Sequence, residues 1–434
     1  MNKRWKIALA VMVVGVVGVA GALAFAWQPA IAPVAPVASS ALDQGAVARG
    51  ARIVALGDCM VCHTAKGGAP FAGGLALRTP FGTLYTTNIT PHVDANGNGN
   101  GIGDWPLAAF ARALRHGVAR DGHLLYPAFP YIHYTKMTDR DIADAYAFLM
   151  SREAVDATPP ANDLLLPLRF RPLLAGWNLL YLRSGPQPDD AGQAAEWNRG
   201  RYLVNSLGHC ASCHSSLNPI GGEGSPAFGG GNIDGWDAPA LTTLPHRPIP
   251  WNQEQLALYL RHGYSAEHGA AGGPMAPVTH SLARVPQQDV QAMAHYLMTL
   301  QAAAPVKSAA PARLADNGQA RQVRQGAVLF AGACASCHGA APPGELPSTR
   351  SSLALATAVA GERPDNLIQV LLEGMPLEVG RPTGQASRYM PPFASALNDA
   401  QIAAIAAYVR VEIAKRPAWP DVEPRAAALR KAAL

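Results

Sequence analysis

The chain has 434 residues and carries 35 basic against 30 acidic side chains, a net charge of +5. That is enough length for about three domains, and no basic run interleaved with aromatics points to a nucleic-acid partner. Hydrophobic residues make up 49%, ample for several cores, while 42 Gly and 37 Pro argue for small helical domains joined by long loops, short of a disordered composition.

The N-terminus reads Met1-Asn2-Lys3-Arg4-Trp5-Lys6, followed by an uncharged apolar run from Ile7 to Trp27. A basic flank before an apolar core is an export signal. The run is about 20 residues, roughly 30 Å as a helix, which spans a bilayer's hydrocarbon. We therefore read residues 1–27 as a retained signal-anchor with Lys3, Arg4 and Lys6 on the cytoplasmic side. The small residues Ala24 and Ala26 leave a cleaved signal as the alternative. Residues 28–45, with Pro29, Pro33 and Pro36, read as a semi-extended spacer lifting the next domain off the membrane.

Three units of similar pattern follow, at 46–152, 194–301 and 319–415. Each opens with apolar residues at helical spacing (Val47 to Leu56, Trp197 to Leu207, Val323 to Phe330), and a glycine follows (Gly57, Gly208, Gly332). Each closes with another helical pattern (Asp139 to Met150, Gln287 to Leu300, Asp399 to Val411), where Phe148, Tyr296 and Tyr408 fall at matching places. Aromatics so placed pack the first helix on the last. This is internal repetition of one unit of about 100 residues. The linker at 153–193 contains Leu164-Leu165-Leu166-Pro167 and the run Arg171 to Leu182. It is too apolar to be exposed and too broken by proline to span a membrane. It must pack within the chain, against a partner or on the membrane surface. Residues 302–318 form an Ala/Pro-rich linker, and 416–434 an irregular tail with a last short helix.

Between the paired helices of each unit lies one motif: Cys59-Met60-Val61-Cys62-His63, Cys210-Ala211-Ser212-Cys213-His214 and Cys334-Ala335-Ser336-Cys337-His338. Cys-x-x-Cys-His is the attachment signature of c-type haem. Two thiols bond to one porphyrin edge, and the adjacent histidine lies under the iron. All six cysteines of the chain are in these motifs, so none remains for a disulfide. An odd number of widely separated pairs fits a zinc ribbon poorly. The expectation is a mainly α protein, three tandem class I cytochrome c domains with long loops, binding three covalent haem c groups through Cys59, Cys62, His63, Cys210, Cys213, His214, Cys334, Cys337 and His338. Haem attachment of this kind takes place outside the cytoplasm, in accord with the N-terminal signal.

A methionine thioether on the other side of the iron raises the potential and makes an electron carrier. The second unit offers Met275 in Pro274-Met275-Ala276-Pro277. The third offers Met390 in Tyr389-Met390-Pro391-Pro392-Phe393, with Met375-Pro376 as a rival. In the first unit Phe129 stands where methionine is expected, in Tyr126-Pro127-Ala128-Phe129-Pro130-Tyr131. Ligation by Met137, ligation by His133 or a five-coordinate iron are the open outcomes, with Met137 favoured. The remaining histidines, His268 among them, read as surface or loop residues. The run Asp94 to Gly101 begins like a calcium loop but has Trp105 where the twelfth-position acid belongs. A solvated insertion is the preferred reading.

These residues resemble the membrane-bound tri-haem cytochrome c subunits of periplasmic alcohol, aldehyde, gluconate and sugar-acid dehydrogenases, and their relatives in molybdenum hydroxylases such as nicotinate and isoquinoline dehydrogenases. Gly57-Asp58-Cys59 to Ala65, Pro80-Phe81-Gly82-Thr83 with Thr87-Asn88-Ile89-Thr90, Leu125 to Tyr131, Gly208-His209-Cys210 and Met390-Pro391-Pro392-Phe393 carry the resemblance, which covers nearly the whole chain. Phe129 and Arg171 to Trp177 look more like the molybdenum branch. The resemblance implies an electron-transfer subunit that is no enzyme by itself. A separate catalytic subunit would supply electrons, and ubiquinone or another respiratory acceptor would take them, at the periplasmic side of the bacterial inner membrane. A free-standing carrier, or a haem enzyme should the first iron be five-coordinate, are the alternatives.

Overall fold

A computed structural model of the chain describes residues 23–93, 100–302, 317–339, 352–375 and 389–433, with Trp5, Met12, Val13 and Gly21 in addition. Residues 94–99 of the calcium-like run, 303–316 of the second linker and Pro376 lie outside the described residues. Among those described, no helix is long and apolar enough to cross a membrane. The chain divides into two compact units, residues 1–190 with 205–209, and residues 191–204 with 210–434.

In the first unit α1 (Gln44–Leu56) starts where the Asp43 carboxylate accepts from Gly45 N and Ala46 N, both at 3.0 Å. This satisfies two of the orphan donors of a helix start. After α2 (Leu107–His116) comes α3 (Asp139–Met150), capped by Thr138 Oγ1 accepting from Asp141 N at 3.0 Å. Helix α1 packs on α3 with its apolar stripe of Ile53, Val54 and Leu56 buried. The hairpin β1 (Ala76–Thr79) and β2 (Gly82–Tyr85) gains a third antiparallel strand, β3 (Asp163–Leu164), from the linker. Gly82 admits it, because a Cβ there would stand 2.2 Å from the Asp163 carbonyl oxygen. The linker then forms α4 (Leu174–Tyr181).

The spacer is extended, as its prolines require, but it does not stand off the domain. Ile31 N donates to Arg120 O (2.8 Å), Val34 N to Asp104 O (2.9 Å), and Arg112 donates to Pro29 O (2.6 Å). Main-chain groups that neither helix nor sheet satisfies have found partners on the domain surface.

The second unit holds two helical modules. In one, α5 (Ala195–Tyr202) packs on α8 (Gln287–Thr299), with α6 (Gln253–His262) and α7 (Met275–Leu282) between them in sequence. In the other, α9 (Asn317–Ala333) packs on α11 (Asp399–Tyr408), with α10 (Asp365–Glu373) preceding it. The tail is more than an irregular end. Its helix α12 (Val422–Ala433) sends Val422, Ala426 and Leu429 into the same core as Ile368, Leu371 and Leu372 of α10.

The hairpin of β4 (Gly231–Ile233) and β5 (Trp236–Ala238) joins the two modules. Its turn uses positive φ at Asp234 and Gly235. Asp237 N donates to Asn366 Oδ1 (2.7 Å), and Asn366 Nδ2 returns a bond to Asp237 O (2.9 Å). Gln369 Nε2 donates to Asp234 O at 3.0 Å. The short hairpin of β6 (Tyr264–Ser265) and β7 (Gly269–Ala270) carries His268, whose carbonyl accepts from Thr357 N at 3.0 Å.

One contact occurs three times. A Cβ on Gly50 would lie 1.9 Å from Asp144 O and 2.8 Å from Phe148 Cβ. On Gly200 it would lie 2.0 Å from Ala292 O and 2.8 Å from Tyr296 Cβ, and on Gly326 2.0 Å from Ala404 O and 2.8 Å from Tyr408 Cβ. Each opening helix thus crosses its closing helix backbone to backbone at a glycine, beside the aromatic that the sequence had set at a matching place. Beside each of the first two crossings an arginine of the opening helix pairs with an aspartate of the closing helix, the two pairs one turn apart in register. Arg49 donates to Asp144 at 2.7 and 2.8 Å, and Arg199 donates to Asp289 at 2.8 and 2.9 Å.

Candidate haem-attachment sites

Each motif begins where its opening helix ends. In the first, Gly57 closes α1, Asp58 takes a left-handed conformation (φ 48°), and Cys59–Cys62 form one short helical turn. In the second, His209 makes the same left-handed step (φ 36°) before the turn Ala211–His214. The third turn, Ala335–His338, follows α9 directly.

The first two histidines are held alike. His63 Nδ1 lies 2.6 Å from Thr87 O, and His214 Nδ1 lies 2.7 Å from Pro239 O. A carbonyl only accepts, so Nδ1 carries the proton and Nε2 keeps its lone pair for a metal. Burial pushes both imidazoles below their ordinary pKa, which keeps them neutral. Behind each ring the chain returns in the same way, with Gly73 N donating to His63 O and Gly230 N to His214 O, both at 2.8 Å. The stretch that follows the third motif, 340–351, lies outside the described residues.

None of the six cysteines is joined in a disulfide, and burial pushes the Cys59 thiol up to about 12. A thiol so buried is not a reactive thiolate. Among the described residues no group of three His, Cys, Asp or Glu could hold a metal ion. Two thiols on one helical turn, followed by a histidine oriented through Nδ1, fit a c-type haem.

The methionines differ in setting. Met275 is the first residue of α7, after Gly272-Gly273-Pro274. The Trp236 indole fills the space over this turn, so that a Cβ on Gly273 would fall 2.3 Å from it. Met390 is partly buried against the core of its module and pairs with Met375 through two main-chain bonds of 2.8 and 2.9 Å. The structure therefore brings the two thioether candidates of this module side by side. Met137 is buried, with Arg115 donating to its carbonyl at 3.0 Å. His133 is buried too, its Nδ1 3.1 Å from Asn205 O. Phe129 packs on Tyr134 (ring centroids 5.5 Å apart), and the Tyr134 hydroxyl donates to Gly57 O at 2.7 Å, beside the first motif.

Comparison with known proteins agrees with this geometry. Residues 198–301 match the cytochrome c family model, and residues 321–409 that of the cbb3-type cytochrome c oxidase subunit III. The chain is 35% identical to the fructose dehydrogenase cytochrome subunit of Gluconobacter japonicus, covering 87% of this chain and 81% of that protein. It is 34% identical to the gluconate 2-dehydrogenase cytochrome c subunit of Pantoea cypripedii, with 87% of each covered. It is 43% identical over 94% of its length to a nicotinate dehydrogenase subunit of Pseudomonas putida. The chain spans about a third, 34%, of that last protein. The chain belongs to the family of cytochrome c subunits of dehydrogenases. It is an electron-transfer subunit, not a catalytic one by itself.

Several working parts of this cytochrome subunit escaped the motif reading. Thr87 and Pro239 act through main-chain carbonyls, which any residue owns. Their positions, 24 and 25 residues after the motif histidine, were the available signal. Trp236 and the helix-crossing glycines act through shape. His268 meets the surface-or-loop reading by its loop, not at the surface. It is buried, stacked on Trp251 with ring centroids 3.4 Å apart, and its Nε2 lies 3.1 Å from Gln255 Oε1.

Proposed function

We propose that this subunit carries three haem c groups, one on each Cys-x-x-Cys-His motif. It would sit at the periplasmic side of the inner membrane and pass electrons from a separate catalytic subunit to ubiquinone or another respiratory acceptor. The observation that carries this reading is the matched hold on His63 and His214, each fixed through Nδ1 by a main-chain carbonyl. Bound there, haem iron supplies one-electron chemistry at a potential set by its axial ligands. The protein's own residues orient the imidazoles, exclude water and tether the porphyrin edge. Met275 and Met390 are our candidates for the opposite axial positions. Met137, buried in the first module, is the candidate there. An unchanged spectrum and potential for all three haems in Met137→Ala would remove it.

The catalytic partner we favour is a molybdenum hydroxylase of aldehydes or N-heterocycles. The greater identity to the nicotinate dehydrogenase relative, 43% against 35% and 34%, supports this, as do Phe129 and the apolar linker. Purifying the complex through a tag after Leu434 and assaying it for molybdenum, pyrroloquinoline quinone and flavin decides the point. Molybdenum supports the reading. A quinone or flavin cofactor assigns the subunit to an alcohol or sugar-acid dehydrogenase instead.

A further inference from the structure

Helix α4 is apolar on both sides. Its inner side is accounted for: Ala175 is buried, Trp177 meets Tyr131 edge to face, and Asn178 Oδ1 accepts from the Tyr131 hydroxyl at 2.6 Å. Its outer side presents Leu173, Gly176, Leu179 and Leu180, spaced as one helix face, and all are exposed. Leu179 is 67% exposed, and Leu166 in the approach to the helix 80%; Leu165 and Phe170 are exposed as well. A helix apolar all round belongs inside something, and a patch of this kind marks an interaction surface.

Two observations choose the occupant. The first is where the N-terminal apolar run ends. Ala26 is buried in one cluster with Val118, Leu124 and Ala175, and Leu174 packs against it. Phe25 and Trp27 on either side are exposed, Trp27 at 70%. The spacer hydrogen bonds from Pro29 to Val34 then fix this exit point on the domain surface. The apolar run therefore reaches the domain against α4 itself. The second is charge. Between Asp163 and Asp189 the chain has no acidic residue; Arg183 flanks the patch and is exposed, and so does Arg169, which is paired with Asp163 at 3.1 Å. Exposed leucines with arginine at the flanks are the composition of an interfacial helix on anionic lipid.

We infer that residues 165–183 form a second membrane contact, with α4 lying in the headgroup region of an anionic phospholipid bilayer beside the point where the N-terminal segment enters. This rests on the anchored reading above and adds to it a fixed orientation for the first module. The test uses the full-length haem-loaded protein in vesicles of phosphatidylcholine and phosphatidylglycerol. Haem attachment consumes the six native thiols, so single spin labels go on Leu180→Cys, Trp27→Cys and, as a control, Leu258→Cys at an exposed position of α6. Collisions with oxygen and with a water-soluble nickel chelate are then measured. The Leu180 label should lose nickel collisions and keep oxygen collisions, like the Trp27 label and unlike the Leu258 label. A Leu180 label as open to nickel as Leu258 overturns the inference, and the anchored reading survives if Trp27 alone is shielded. Loss of both kinds of collision at Leu180 overturns it too, since protein and not lipid would then cover the patch. Trp27 open to nickel would refute the anchor itself.

Discussion

His268 shows how a single side chain ties stability to pH. Burial pushes its imidazole down to about 4, well under the ordinary value of about 6.5. It is therefore neutral in the folded protein. As pH falls from about 6.5 towards 4, the unfolded chain takes up a proton that the folded chain refuses, and stability is lost across that window. His268→Gln should flatten this part of a melting-temperature profile, and an unchanged slope would refute the assignment. The axial candidates make a second prediction at this scale. Met275→Ala and Met390→Ala should each lower the midpoint potential of one haem by on the order of 100 mV, given that axial ligands set potentials over about 0.8 V; spectroelectrochemical titration reads this. An unmoved potential in Met390→Ala would turn attention to Met375. Legibility at this scale divides by chemistry. Cysteine and histidine announced themselves because a thiol that adds to a porphyrin edge and an imidazole beside it are bound to residue types. Thr87 and Pro239 stayed hidden because a carbonyl has no residue type.

The elements were legible where the period was regular and obscure where geometry decided. The opening and closing helices could be read from apolar spacing. That they meet at Gly50, Gly200 and Gly326 could not, because a lone glycine in a helix reads first as a propensity penalty. Gly200→Ala would drive a methyl into the Ala292 carbonyl, and overpacking of this sort costs about 1–3 kcal/mol. Its melting temperature should fall, while Gly176→Ala, with nothing within 4 Å of its Cβ, should leave it unmoved or raised. Helix α4 was legible as too apolar for solvent, but its two faces were not. Only packing against Tyr131 separates the side that serves the core from the side left over.

At the scale of the whole molecule the repeat was plain in the sequence, and the seam between the second and third modules was not. That seam rests on the turn at Asp234-Gly235 and on Asn366 and Gln369, residues that have no pattern of their own. Asn366→Ala breaks two hydrogen bonds to Asp237, at roughly 0.5–1.5 kcal/mol each. Hydrogen exchange should rise at 231–238 and 365–373 together; a rise in only one segment would mean that the modules do not lean on each other there. The repeats also differ in length between crossing glycine and first cysteine: nine positions from Gly50 to Cys59, ten from Gly200 to Cys210, eight from Gly326 to Cys334. The longest contains the π-turn Leu203–Leu207, whose wider coil absorbs a residue. The shortest lacks the left-handed step seen at Asp58 and His209, since Ala333, the residue before Cys334, is not among the residues of positive φ. The modules thus tolerate insertions and deletions by changing the gauge of one helical turn, much as a belt takes up slack at its buckle. Removing one residue from 203–207 should return that turn to ordinary helix and leave the haem attachment intact.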